Sequence, residues 1–356
     1  MYTIQEAKKQ LDMLIKKARV DMYKPIQIAE VLRRSRLEKD IDILDKETYR
    51  TQSRQWRDLV TDRLLNKVST SSSKYQDDIW TKTAMPPEIL SVLDQENKRT
   101  EGGVEHYIYL SFGERQSTIS SVIEYINKTA TDKFSLKYLL ELFVTQPGIR
   151  RSIDKAYEIV AYSLFETIVV ALDAEINISI PPAKQDILNE FSDLAKVLLG
   201  IEKGKNSWGF KAHIYRVGVT NAADRGLDMW ANFGPAIQIK HLTLNPELAQ
   251  NIVDQIESDH IVIVCRDADV AVIKMITTQI SWGQRVRGIV CQSELINWYD
   301  LCLRGKYAQI LSQPLINCLS DSFRKEFPHS IALTEFLAER NYPPLDTLNE
   351  NWRIIG

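Results

Sequence analysis

The sequence lacks the features of several protein classes. Its 356 residues include only four cysteines, at 265, 291, 302 and 318. They form no CxxC pair and no zinc ligand set, so neither a disulfide scaffold nor a zinc module is encoded, and buried reduced thiols are expected. Apolar runs such as HIVIV and IVVAL are far too short to span a bilayer. The N-terminus, MYTIQEAKKQ, carries no apolar leader, which reads as a cytoplasmic protein with no membrane partner. Neither sign of charge dominates: 45 basic and 47 acidic residues leave a formal net charge of −2, which excludes a generally cationic, histone-like binder and leaves room for a local basic groove. No internal repeat or low-complexity tract is visible. Hydrophobic residues at 44% and charged residues at 26% instead describe a chain able to build a sizeable core.

Periodicity divides the chain near Pro147-Gly148. Residues 1–148 read as a mostly helical region suited to DNA contact or dimerisation. Ile4, Ala7, Leu11, Leu14 and Ile15 recur at helical spacing. Pro25 opens a second helix, and Gln52 to Lys67 form a third. STSSSKYQDD (69–78) and NKRTEGG (97–103) read as loops. Residues 149–356 change character. A helix over 151–176 is apolar around most of its circumference, which predicts burial. Past Pro181-Pro182 a helix over about 184–199 is expected. Strand patterns follow at 211–219, 226–231 and 236–242, then a helix from Asn245-Pro246 and a buried strand at 260–265. Strands alternating with helices predict an α/β domain.

The chemistry concentrates in one hairpin. Asn232-Phe233-Gly234 fits a three-residue turn with Gly234 in the left-handed position. Ala231 then pairs with Pro235, and Asp228 lies opposite Gln238. Side chains alternate along a strand, so Gln238 and Lys240 share a face while Ile237 and Ile239 anchor the other. Asp228, Gln238 and Lys240 converge on one patch, an arrangement suited to holding a divalent cation and a water molecule. The plainer alternative is an ordinary hairpin in which Asp228 and Lys240 form a modest ion pair. Asp224 is a rival ligand placed in the preceding turn, and Trp230, on Asp228's side of the strand, is placed to wall the site.

These residues resemble the PD-(D/E)xK nuclease superfamily, in particular type II restriction endonucleases. The likeness covers roughly 150–270: the long helix, Asp228 at a strand end, the Gln238-x-Lys240 strand after a short turn, then a helix and a buried strand. It implies an α/β restriction-endonuclease-like core, a central mixed sheet flanked by helices. It also implies Mg²⁺-dependent hydrolysis of double-stranded DNA at a short palindromic site, by a homodimer with no small-molecule cofactor, leaving 5′-phosphate and 3′-hydroxyl ends. In its terms Asp228, Glu158 and the Ile239 carbonyl hold the metal, and Lys240 positions the attacking water. Gln238 departs from the usual Asp or Glu; its carbonyl oxygen can still serve a hard cation, without charge. Glu166 is the alternative acidic ligand, its direction differing from that of Glu158 by about 80° around the helix. Taken whole, the chain is similar to the HaeII type, which reads a six-base degenerate palindrome.

DNA reading needs side chains that reach base edges. Arg285, Arg287 and Gln284, within Trp282 to Gly288, are one candidate set. Lys205 and Asn206, in the glycine-containing loop 202–208, are another. The alternative for either run is a solvated surface turn, the more frequent outcome for a single short basic run. Arg33, Arg34 and Arg36 suit phosphate contact. Two other functions stay open from sequence alone: a structure-selective repair nuclease with the same core, and a catalytically inactive nuclease-like DNA-binding module, which Gln238 keeps alive.

Overall fold

A computed structural model describes residues 2–356 apart from 147, 203, 218–226, 270, 273–284, 328–331, 344–351 and 353–356. It divides into two compact units. Residues 1–156, 218–223 and 320–356 form one; residues 157–217 and 224–319 form the other. The segment from Ser320 onward thus belongs with the N-terminal helices rather than with the strands.

The first unit is helical: α1 (Ile4–Lys17), α2 (Tyr23–Leu37), α3 (Gln52–Leu65), α4 (Ser73–Asp77), α5 (Pro87–Arg99), α6 (Gly103–Lys128) and α7 (Leu136–Thr145). Thr3 and Glu6 cap the start of α1 reciprocally, Glu6 N donating to Thr3 Oγ1 at 3.3 Å and Thr3 N to Glu6 Oε2 at 2.7 Å. Pro25 sits third in α2 rather than first, still within the turn whose N–H groups need no helical acceptor. A short helix, α4, occupies part of the expected loop 69–78. Leu11, Ile26, Ile28, Leu32, Leu90, Ile108 and Phe112 belong to one buried core cluster. The unit also holds buried charge in pairs: Arg36 grips Glu105 through Nε at 2.9 Å and Nη2 at 3.1 Å, and Arg340 reaches Glu30 at 3.0 Å.

Helix α8 (Ile153–Ala171) runs from the first unit into the second. Ala156, Tyr157, Ile159, Val160, Ala161 and Leu164 are buried, as its apolar circumference requires. It stops five residues short of the expected end, because Asp173 adopts a left-handed conformation (φ 49°), which aspartate tolerates better than most residues. The chain then enters β1 (Glu175–Ser179), followed by α9 (Gln185–Glu190), α10 (Ser192–Leu199) and β2 (Ser207–Lys211), which pairs antiparallel with β1.

The main sheet has five strands in the order β3 (Ile214–Arg216), β4 (Met229–Ala231), β5 (Ala236–Leu244), β6 (Ile261–Ala268) and β7 (Val286–Cys291). The first two pairings are antiparallel and the last two parallel, so the sheet is mixed. Helix α11 (Pro246–Gln255) links β5 to β6; Asn245 caps it by accepting from Leu248 N at 2.8 Å, and Pro246 takes the first helical position. Register places Ala236, Gln238 and Lys240 beside Ile261, Ile263 and Cys265. Ala236, Ile261, Ile263 and Cys265 share a core with Ala249, Ile252 and Val253 of α11. After β7 come α12 (Gln292–Arg304), α13 (Ala308–Glu326), which runs back into the first unit, and α14 (Leu333–Arg340). Tyr299 of α12 donates its hydroxyl to Val160 O of α8 at 2.9 Å, tying the helices together within the second unit. All four cysteines are free, and burial pushes the Cys265 thiol up to about 12. Among the described residues no helix is long and apolar enough to cross a membrane.

Candidate active site

The turn that builds the site is a short one. Gly234 has φ 119°, a conformation that L side chains rarely adopt, and its N–H donates to Ala231 O at 3.0 Å. Ala231 N donates to Pro235 O at 2.9 Å, and the pairs Trp230–Ala236 and Met229–Ile237 follow. One step further along, Asp228 comes opposite Gln238. Its backbone N–H still reaches Ile237 O at 3.3 Å, but its carboxylate takes over the next position: Asp228 Oδ2 accepts from Ile239 N at 2.7 Å. A side chain thus continues the ladder where β4 ends, and this fixes the carboxylate against the strand that carries Gln238 and Lys240.

Gln238 is 2% exposed, and its Oε1 has no hydrogen-bond partner among the described residues. Burying an amide oxygen unpaired costs on the order of 1–3 kcal/mol, so this atom is a strong candidate for a ligand contact. Lys240, on the same face, is half-buried. Ile237 and Ile239, on the other face, are buried. Register thus sets Asp228 opposite Gln238, with Lys240 two residues further along β5 on the same face.

The two helix glutamates separate. Glu158 is 3% exposed and paired with Arg216 of β3, at 3.0 Å to Nε and 2.8 Å to Nη2. Glu166 is committed to β3: its Oε1 meets His213 Nδ1 at 2.9 Å, and its Oε2 accepts from Ile214 N at 2.7 Å. Among the described residues no group of three His, Cys, Asp or Glu side chains is arranged to hold a metal. A cation here would need the amide oxygen of Gln238 or a main-chain carbonyl beside Asp228.

Sequence reasoning overlooked Arg216, His213 and Tyr215. The pattern HIYRV places His213 and Tyr215 on one face of β3 and Arg216 on the other, a signal present in the alternation. Tyr215 stacks on Trp230 with ring centroids 4.7 Å apart and planes 25° apart, and both rings are well exposed. This aromatic pair borders Asp228 on its own strand.

Among the expected DNA contacts, Arg285 is tied to the main chain, donating through Nε to Ser258 O at 3.2 Å and through Nη2 to Ile256 O. Arg287, Lys205 and Asn206 are exposed. Gln284, Trp282 and Asp224 lie outside the described residues. The basic cluster on α2 is also engaged: Arg34 pairs with Asp40, and Arg36 is held by Glu105.

Comparison with known proteins adds to this geometry. The model of the HaeII restriction endonuclease family matches residues 7–342. The chain belongs to that family. It is 47% identical over 344 residues to the type II restriction enzyme HaeII of Haemophilus aegyptius, covering 96% of this chain and 98% of that protein. Identity to the type II restriction enzyme NgoBI of Neisseria gonorrhoeae is 46% over 333 residues, 94% of each chain. No solved structure matches the chain. Membership makes this HaeII-family protein a type II restriction endonuclease, an enzyme rather than an inactive binding module.

Proposed function

We propose that the enzyme hydrolyses double-stranded DNA within one short palindromic site, as a homodimer, leaving 5′-phosphate and 3′-hydroxyl ends. The centre is the β4–β5 hairpin, on a restriction-endonuclease-like core formed by α8, the mixed sheet and α11. The observation that carries this reading is the orphaned Gln238 Oε1, buried on the strand position opposite Asp228.

Asp228, Glu158, the Gln238 amide oxygen and the Ile239 carbonyl would hold Mg²⁺, which when bound polarises a phosphodiester and lowers the pKa of water. The donor set suits a hard cation, since every atom is oxygen. The Ile239 N–H holds one Asp228 oxygen in place, so the carboxylate needs little reorganisation. Glu158 is the favoured second carboxylate because its contacts to Arg216 fall on one oxygen, Oε1, whereas Glu166 spends both oxygens on β3. Lys240 places an ammonium beside these groups, where it stabilises a hydroxide nucleophile and the negative charge that grows on phosphorus. The Tyr215–Trp230 stack offers a flat apolar wall against a deoxyribose or a base. Two copies related by a twofold axis present one centre to each strand of a palindrome.

Plasmid and phage DNA cleavage with Mg²⁺, comparing wild type with Asp228→Ala and Lys240→Ala, tests the reading. Wild type should give discrete fragments with defined ends, and each variant should cut at least about 100-fold more slowly, the scale of losing one preorganised electrostatic contact. Chelation with EDTA should stop the reaction. An Asp228→Ala enzyme that cuts at the wild-type rate would remove this site from the enzyme.

A further inference from the structure

Residues 175–211 make a small lobe of the second unit: the β1–β2 ribbon with α9 and α10 folded beside it. Its interior consists of Leu188, Ala195 and Ile201, with Ile178, Ile180 and Leu199 packed around them. Its outside also carries large apolar side chains. Ile187, Phe191, Leu194, Val197 and Leu198 are 53 to 81% exposed. They recur at intervals of three and four, so despite the break between the two helices at Phe191 they line the side turned away from the lobe's core. Five large side chains left in water cost free energy at roughly 25 cal/mol per Å², and a contiguous patch of this kind marks a contact surface.

We infer that this face receives the same face of a second copy of the chain. Two arguments favour a second copy. DNA gains nothing from aliphatic side chains, because its affinity comes from cations on phosphates and polar groups on base edges. An isologous contact needs only self-complementarity, which an apolar patch has by construction. The area is also adequate. At about 100 Å² for each of the five side chains, two copies bury about 1,000 Å², the lower bound of a specific interface, before the rim is added. The inference rests on the two-copy reading above and gives it a location.

Sedimentation velocity on the full-length enzyme, wild type against the double variant Leu194→Glu/Val197→Glu, tests it. The wild type should sediment as a dimer, and the variant should dissociate at least 100-fold more readily with its thermal unfolding essentially unchanged. On supercoiled plasmid the variant should accumulate nicked circles where wild type yields linear DNA. A variant that stays as dimeric as wild type overturns this face while leaving the two-copy reading intact. A wild type that is monomeric both free and on cleavable DNA overturns both. Should the variant fail to fold, hydrogen exchange on wild type decides: exchange over residues 185–199 that slows from dilute to concentrated protein supports the face, and unchanged exchange there overturns it.

Discussion

Gln238 stands beside Asp228 as a neutral oxygen donor at a position where a carboxylate would bind a cation more strongly. Two opposing effects follow from exchanging it. Glu at 238 adds a charge to the ligand set, but it also places that charge in a buried site next to Asp228, where it is costly without a metal. Gln238→Glu should therefore lower the Mg²⁺ concentration for half-maximal cleavage by about tenfold, equivalent to about 1.4 kcal/mol. It should also lower stability in metal-free buffer. A Mg²⁺ titration of cleavage and a urea denaturation series check the two halves, and unchanged Mg²⁺ dependence would remove Gln238 from the ligand set. Trp230 acts differently, since it carries no charge and its ring stacks on Tyr215. Trp230→Ala should raise KM about tenfold and leave kcat near wild type, because a stacking wall binds ground and transition states alike. Steady-state kinetics on a short duplex distinguishes this from a loss of chemistry, which would appear in kcat.

At the scale of elements, α8 carries two glutamates with different partners. Glu166 ends two hydrogen bonds on β3 and fixes that strand to the helix. Glu166→Ala leaves the Ile214 N–H and the His213 ring without their acceptor, and should cost about 2–3 kcal/mol in denaturant unfolding. Its effect on the Mg²⁺ requirement should be small. Glu158→Gln should raise the Mg²⁺ requirement, and because it leaves Arg216 without its buried charge partner it should lower stability as well. A Glu158→Gln enzyme with the wild-type Mg²⁺ requirement would remove Glu158 from the ligand set. The hairpin was legible because Asn232-Phe233-Gly234 dictates the loop, the loop dictates register, and register places Asp228 opposite Gln238. The partners of the glutamates were not legible, since they depend on how a helix packs over a strand 47 to 58 residues away. The end of α8 was missed for a local reason: Asp173 turns the chain without the glycine or proline that usually marks a stop. The same holds for Phe191, which divides an otherwise continuous amphipathic pattern into α9 and α10. Arg285 and Arg287 have the same spacing as two residues on one strand face, yet Arg285 precedes β7 and is bound to loop carbonyls.

For the whole molecule, the formal net charge of −2 means that a polyanionic substrate meets no general attraction. Affinity for DNA must then come from a few local cations, and the two units matter because exposed and spent basic groups are distributed between them. In the first unit Arg34 and Arg36 are neutralised by Asp40 and Glu105. In the second, Arg287 is exposed while Arg285 holds the carbonyls of Ile256 and Ser258. Each phosphate contact releases counterions and contributes about 0.9 to the slope of log K against log salt. Arg287→Ala should therefore reduce that slope by about one and weaken binding evenly across sequences if Arg287 meets a phosphate. A base contact would instead relax cleavage specificity at one position with little change in slope. Arg285→Ala should leave the slope unchanged and lower stability. Fluorescence anisotropy over a salt series, with Ca²⁺ replacing Mg²⁺ to prevent cutting, measures all three, and an Arg287→Ala enzyme with wild-type slope and specificity would place the DNA on another surface of the second unit.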